Sequence, residues 1–373
     1  MRQGYQKNEK QYNYNLNIYP EQQMKIFSIV GARPQFIKLA PLSSALAGLH
    51  EEFIVHTGQH YDYAMSEKIF LDLGIRKPDI HLGTGPGTQA AQTGEMMVKL
   101  EAAMTEKRPD IIIVFGDTNS TLAGVLAASK LNIPIIHIEA GLRSYNRSMP
   151  EEINRIVADH VSEYLFVPTQ TAVDILEKEG LRKKTFFTGD IMVDTMKSNI
   201  EIALKKSNII SVLKLESKEF NLLTLHRNYN VDNTDILEHI LNQLGQLPEE
   251  IVFPVHPRTR KMLAATYNVP TNIRMIEPQG YLDFIVLEHA SKRIITDSGG
   301  IQKEAYILRK PCITLRTETE WVETIEEKWN LLVNPSDEMI ASKIAAFTPP
   351  EKQEDIFGKD VTEKMVKIIN TIN

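Results

Sequence analysis

Acidic residues gather where apolar runs of this chain give way to polar turns, the setting that general acid–base chemistry requires. Asp117 follows the run 111–115, Glu139 closes the run 133–139, and Glu151 and Glu152 lie just beyond. Crowded carboxyl groups push one another's proton affinities apart, so one can hold a proton while another accepts one. Each residue has a plainer use as well. Asp117 suits a helix cap, and Glu151 and Glu152 suit a first helical turn. Glu139 is harder to explain that way, because it ends an otherwise apolar strand. Arg33 and Lys38 come after the first apolar run, as phosphate partners or as surface charges at a helix start. His226 and His256 follow the runs 221–225 and 251–255. A histidine titrates near neutrality, so His226 suits a donor to a diphosphate leaving group. His60, alone after 52–56, reads more simply as a structural histidine.

The most specific turn is in residues 293–305, RIITDSGGIQKEA. An apolar run ends at Asp297, passes Ser298, Gly299 and Gly300, and opens into a helix carrying Glu304. Adjacent glycines allow a tight turn and close approach of a ligand. The free N–H groups and positive end of the following helix form a phosphate site. A carboxylate one turn further in would repel phosphate but accept hydrogen bonds from ribose hydroxyls. The segment reads as a nucleotide pocket.

The elements that must position these groups are strands and helices in alternation. Strands are expected at 25–30, 52–56, 111–115, 133–139, 164–168 and 185–188, then at 221–225, 251–255, 273–276, 293–296 and 312–315, with a helix over 121–130. Several runs are continuously apolar, as strands buried on both faces of a parallel sheet are. The pattern predicts an α/β chain of two Rossmann-like, doubly wound domains with the active site in the cleft between them. The first is expected over 24–195, completed by a C-terminal helix at 358–373. The second is expected over 215–355, after a Lys-, Ser- and Glu-rich crossover at 195–220. Residues 1–23, rich in Asn, Gln and Tyr, are expected to be a disordered extension, with Met24 a candidate start.

Composition narrows the class. The 373 residues are 42% hydrophobic and 24% charged with a net charge of −6, which fits a soluble protein and argues against nucleic-acid binding. Residues 1–23 lack the apolar core of a secretory signal, and no apolar run reaches membrane-spanning length, so a cytoplasmic protein is expected. The single cysteine, Cys312, excludes an internal disulfide and reads as core packing. No metal-site spacing, no Gly-x-Gly-x-x-Gly after the first run and no Gly-x-Ser-x-Gly elbow are present. Neither a metal nor a redox cofactor is expected.

Taken together and in order, the motifs resemble the non-hydrolysing UDP-N-acetylglucosamine 2-epimerases, over nearly the whole chain from Met24. They are GARPQFIKLAPL at 31–42, GDTNSTL at 116–122, HIEAGLR at 137–143, PEEINR at 150–155, His226-Arg227, and TDSGGIQKEA at 296–305. The resemblance implies the glycosyltransferase-B type of two-domain fold, no cofactor, a UDP-sugar substrate and a homodimer. It implies that Asp117, Glu139 and Glu151 are the acidic catalytic set, with His226 and Lys38 beside them. Arg33 goes with the substrate by the same resemblance, and Phe284 lies near the uracil; Arg143, Arg155 and His256 are expected to bind the substrate as well. Ser298, Gly299 and Gly300 form the UDP turn, with Glu304 on the ribose. The implied reaction is reversible C2 epimerisation of UDP-GlcNAc to UDP-ManNAc through a 2-acetamidoglycal, feeding polysaccharide synthesis.

The chain departs from the family pattern in three places. Asn228-Tyr229-Asn230 stands where many members carry Arg-Glu-Asn, and TEWVE at 319–323 where many bacterial enzymes read TERPE. The second feature, with GARPQ, also resembles epimerases of UDP-2,3-diacetamido-2,3-dideoxyglucuronate, the alternative substrate. Residues 61–64 depart from the pattern that accompanies activation by a second substrate molecule, so weak or absent activation is expected. A hydrolysing epimerase, a glycosyltransferase of the same fold and a nucleotide-sugar binder are the other readings.

Overall fold

In a computed structural model the described residues are 20, 22–59, 74–216, 219–263 and 267–372, with the side chain of Arg258 also left aside. His60, residues 61–64, and the expected extension apart from residues 20, 22 and 23 lie outside them.

Among the described residues the strands form two sheets, parallel throughout. The first joins β1 (Lys25–Val30), β2 (Glu51–His56), β3 (Ile80–His81), β4 (Ile111–Phe115), β5 (Ile135–Ile138), β6 (Tyr164–Val167) and β7 (Thr185–Phe187) in the order β3-β2-β1-β4-β5-β6-β7. The second joins β8 (Phe220–Thr224), β9 (Glu250–Pro254), β10 (Ile273–Ile276), β11 (Arg293–Thr296), β12 (Cys312–Leu315) and β13 (Asn330–Val333) in the order β10-β9-β8-β11-β12-β13. Each order reverses beside its first strand, at β1/β4 and β8/β11. That switch point is where a crevice opens at the carboxyl ends of the strands. Central strands such as β4 are wholly buried because helices cover both faces. Strands β3 and β13 were not expected: β3 has only two residues, too few to leave a pattern, and β13 is a four-residue edge strand.

The segment linking the sheets is helical, Met192–Lys206, and it packs against both halves. One apolar cluster runs from Phe36 and Leu39 through Met192 and Met196 to Tyr281 and Ile285. The C-terminal helix Val361–Ile369 returns to the Arg33–Leu46 helix, and His50 Nε2 meets Asn370 Oδ1 at 2.9 Å. No helix among the described residues is long and apolar enough to cross a membrane.

Candidate active site

The turn after β4 presents Asp117. Gly116 takes φ +62°, a left-handed conformation open to glycine, and its missing Cβ leaves room for Glu139 and Lys38. The following helix starts at Asn119 and is capped by Thr118, whose Oγ1 accepts from Thr121 N at 3.3 Å. Asp117 is therefore released from the capping role its position allowed. Its side chain keeps 28% of its surface open and pairs with Arg155. Asn154 Nδ2 donates to the Asp117 carbonyl at 2.9 Å, so the 150–155 motif holds the turn as well as its carboxylate. Burial raises the Asp117 carboxyl above its usual range, against the opposing pull of Arg155 and with help from Glu139.

Glu139, just past β5, is a non-glycine residue at φ +70°. Its N–H and that of Ala140 both donate to the Phe166 carbonyl, at 3.1 Å each, which holds the unusual backbone in place. The carboxylate sits between two ammonium groups. Lys38 reaches it from the Arg33–Leu46 helix, and Lys303 Nζ lies 2.7 Å away on the Gly299–Ile307 helix of the other half. Lys303 also pairs with Asp190 at 2.7 Å and stands 4.4 Å over the Trp321 ring. Burial disfavours the charge on Glu139, but Lys303 and Lys38 outweigh it and hold the carboxyl below the ordinary range. Burial likewise opposes the charge on Lys303, and Asp190 and Glu139 overcome it. Asp117 and Glu139 thus border one cleft with displacements in opposite directions.

The facing wall comes from the second sheet. Ser298 precedes the Gly299–Ile307 helix without capping it by its side chain, which leaves first-turn N–H groups for a ligand. The glycines are not at positive φ, contrary to the expected tight turn. They are the first helical residues: a Cβ at Gly299 would strike Glu320, whereas Gly300 leaves the backbone open to approach. Glu304, Phe284 and Tyr281 continue this wall, and Arg33 closes it 5.3 Å over the Tyr281 ring. The cleft encloses about 500 Å³, within the range of small-molecule sites.

Of the expected residues, Arg33, Lys38, Asp117, Glu139, Arg155, Phe284, Ser298, Gly299, Gly300 and Glu304 line this cleft. The others do not. Arg143 is turned away from it: Gly141 takes φ +83°, and the guanidinium is buried against Asp159 at 2.6 Å and Glu179 at 2.7 Å. It braces the Pro150–Val161 helix behind Glu139 and lies outside the lining of the cleft. Glu151 is exposed in the first turn of the Pro150–Val161 helix, outside the lining, where its charge still acts on Asp117. Its neighbour Glu152 is buried and accepts from Ser144 N and Tyr145 N at 2.8 and 3.0 Å. His226, 55% exposed, has its Nδ1 3.1 Å from Asp297 and lies outside the lining, as does the exposed His256.

Two of the segments that depart from the family pattern have structural uses, the first through Asn230, which is the family's residue. Asn230 is buried and donates to Asp297 at 3.0 Å and to the Leu315 carbonyl at 3.1 Å. Trp321 is the platform under Lys303. Asp190 and Lys303 are functional candidates that sequence reasoning did not single out. Lys303 lay inside a recognised motif, and Asp190 two residues beyond an expected strand end. Among the described residues no group of three or more His, Cys, Asp or Glu could hold a metal ion.

Comparison with known proteins bears on this cleft. The family model described as UDP-N-acetylglucosamine 2-epimerase matches residues 47–372. The UDP-N-acetylglucosamine 2-epimerase of Methanocaldococcus jannaschii is 41% identical over 362 residues, covering 93% of this chain and 99% of its own. A crystal structure of that enzyme with UDP-GlcNAc and UDP superposes with a TM-score of 0.83, covering 93% and 99% of the two chains. The UDP-2,3-diacetamido-2,3-dideoxy-D-glucuronate 2-epimerase of Pseudomonas aeruginosa is 44% identical over 340 residues, 89% of this chain and 94% of its own. A glycotransferase of kitacinnamycin, 11% identical with a TM-score of 0.55 and covering 93% of this chain and 95% of its own, shares the fold alone. The two sheets are thus Rossmann-like domains of the glycosyltransferase-B type.

Proposed function

The chain belongs to the UDP-N-acetylglucosamine 2-epimerase family, and on that premise we propose that it interconverts UDP-GlcNAc and UDP-ManNAc by eliminating UDP and adding it back. The observation that carries the reading is the pair Asp117 and Glu139. They border one cleft, opposite an uncapped helix start, with proton affinities displaced in opposite directions.

The C2 proton of a UDP-sugar is not beside a carbonyl and is barely acidic. It becomes removable when the C1–oxygen bond breaks, the electron pair departs with the diphosphate, and positive charge builds on the ring. A carboxylate then takes the C2 proton, and the C–H electron pair becomes the C1–C2 double bond of a 2-acetamidoglycal. Protonation at C2 from the opposite face and attack of a diphosphate oxygen on C1 give the epimer. Two faces call for two acid–base groups, and the cleft has two carboxyls with opposite tendencies. The N–H groups of the Gly299–Ile307 helix, with Arg33 nearby, suit the departing diphosphate, and Glu304 suits the ribose hydroxyls.

A second substrate has its own support. The diacetamido-glucuronate enzyme of Pseudomonas is as similar to this chain as the archaeal UDP-GlcNAc enzyme is. Trp321, in the TEWVE segment, also has a definite seat beside the cleft. Proton NMR of the protein with UDP-GlcNAc in D2O separates these readings. UDP-ManNAc with deuterium at C2 and no free sugar is the expected result. Free ManNAc with UDP would make the enzyme hydrolysing. No conversion would reject UDP-GlcNAc and make the diacetamido-glucuronate nucleotide the compound to try.

A further inference from the structure

Glu304 faces a second carboxyl behind the cleft wall. Glu288 lies in the last turn of the Tyr281–Ala290 helix and is fully buried. No donor among the described residues reaches either of its oxygens. The polar group it meets is the Glu304 carboxyl. Its other titratable neighbours, Tyr281 and Cys312, carry no positive charge, and the Tyr281 hydroxyl already meets Asn199 Nδ2 at 3.0 Å. The cations acting on this pair, Lys303 and Arg33, act on Glu304.

An ionised Glu288 would be a buried charge with neither donor nor counter-ion, in a helical turn whose dipole disfavours negative charge. A neutral carboxylic acid there has no such cost and supplies the donor the pair lacks. Two facing carboxyls share one proton, and it belongs on the member without cations. Burial and the Glu304 carboxyl accordingly push the Glu288 group upward.

We propose that Glu288 is a positioning residue for nucleotide binding: as a neutral acid it donates a hydrogen bond to the Glu304 carboxylate and fixes that carboxylate toward the ribose. The inference rests on the reading above that Glu304 accepts from the ribose hydroxyls of UDP. Without the donor, Glu304 loses its fixed orientation and the hydrogen bond that opposes the upward push of burial on its carboxyl, and with them its capacity to accept from both hydroxyls.

The test is calorimetric binding of UDP and of 2′,3′-dideoxy-UDP to the full chain and to its Glu288→Met and Glu288→Gln variants. Glu288→Met is expected to weaken UDP about tenfold while changing the dideoxy nucleotide by less than about twofold. Glu288→Gln keeps a donor and is expected to restore most of the UDP affinity. Retained dideoxy binding shows that the variant is folded. Equal losses on both nucleotides, or no loss on either, overturn the inference. If the unaltered chain binds the two nucleotides equally, the ribose assignment fails and the inference falls with it. A preference for UDP that survives Glu288→Met defeats the inference alone.

Discussion

Lys303 crosses from the second half of the molecule to a carboxylate of the first, and its removal has a definite sign. Glu139 is kept ionised by Lys38 and Lys303 against its burial. Lys303→Met deletes one of these cations, so the carboxyl rises toward its ordinary range. The ionised form, which accepts a proton, is then lost at a higher pH. The acid limb of the kcat/KM profile should move upward, whereas a purely structural defect would lower the whole curve. Asp190 is buried and pairs with the same ammonium, so Asp190→Asn should move the limb the other way: a neighbouring negative charge is lost and Lys303 is left to Glu139 alone. On the proposed mechanism, Asp117→Asn removes a proton-transferring group without changing its shape. Deuterium wash-in at C2 should fall about a hundredfold or more while UDP binding persists. A protein that only binds nucleotide sugars would keep its function.

At the scale of elements, strands deliver the acidic groups and buried polar braces hold them. Gln35 accepts from the Gly31 amide at 2.8 Å and donates to the Phe115 carbonyl at 2.8 Å, tying the turn after β1 to the end of β4. Asp159 accepts from Arg143 and from Gly141 N at 3.1 Å, and meets His137 Nδ1 at 2.7 Å. Burial opposes its charge, but His137 and Arg143 hold the carboxyl below its usual range. Arg143→Met should lower stability by about 3–5 kcal/mol, because it leaves a buried carboxylate short of a partner. A urea unfolding curve measures this, and KM for the nucleotide sugar should change little. A large KM effect with unaltered stability would instead return Arg143 to the substrate. The HIEAGLR motif placed Arg143 beside Glu139 in sequence, and only the turn at Gly141 reveals that the two side chains part.

At the scale of the molecule, two parallel sheets place their carboxyl ends around one cleft, and the Met192–Lys206 helix joins them through a continuous apolar cluster. A ligand bound there couples to folding of the whole. UDP at a hundred times its Kd should stabilise the protein by about 2.7 kcal/mol, read as a rise in Tm that ADP does not match. Equal effects of the two nucleotides would argue against a uridine pocket beside Phe284.

The alternation of strands and helices is legible along the chain, because strands buried on both faces leave unbroken apolar runs and ligand turns follow them. Asp117, Glu139 and the Ser298–Gly300 turn stood out as well, since ligand turns follow such runs, although Asp117 suited a helix cap equally. The partners that set their chemistry were decided by tertiary structure. Lys303 meets Glu139 across 164 positions of chain, and Glu288 meets Glu304 from a neighbouring helix. Arg143 and Lys303 are both cations within recognised motifs, yet one is buried in a brace and the other lines the cleft. Spacing along the chain fixes which residues are near a turn, but the direction of a side chain and its burial depend on packing between elements distant in sequence.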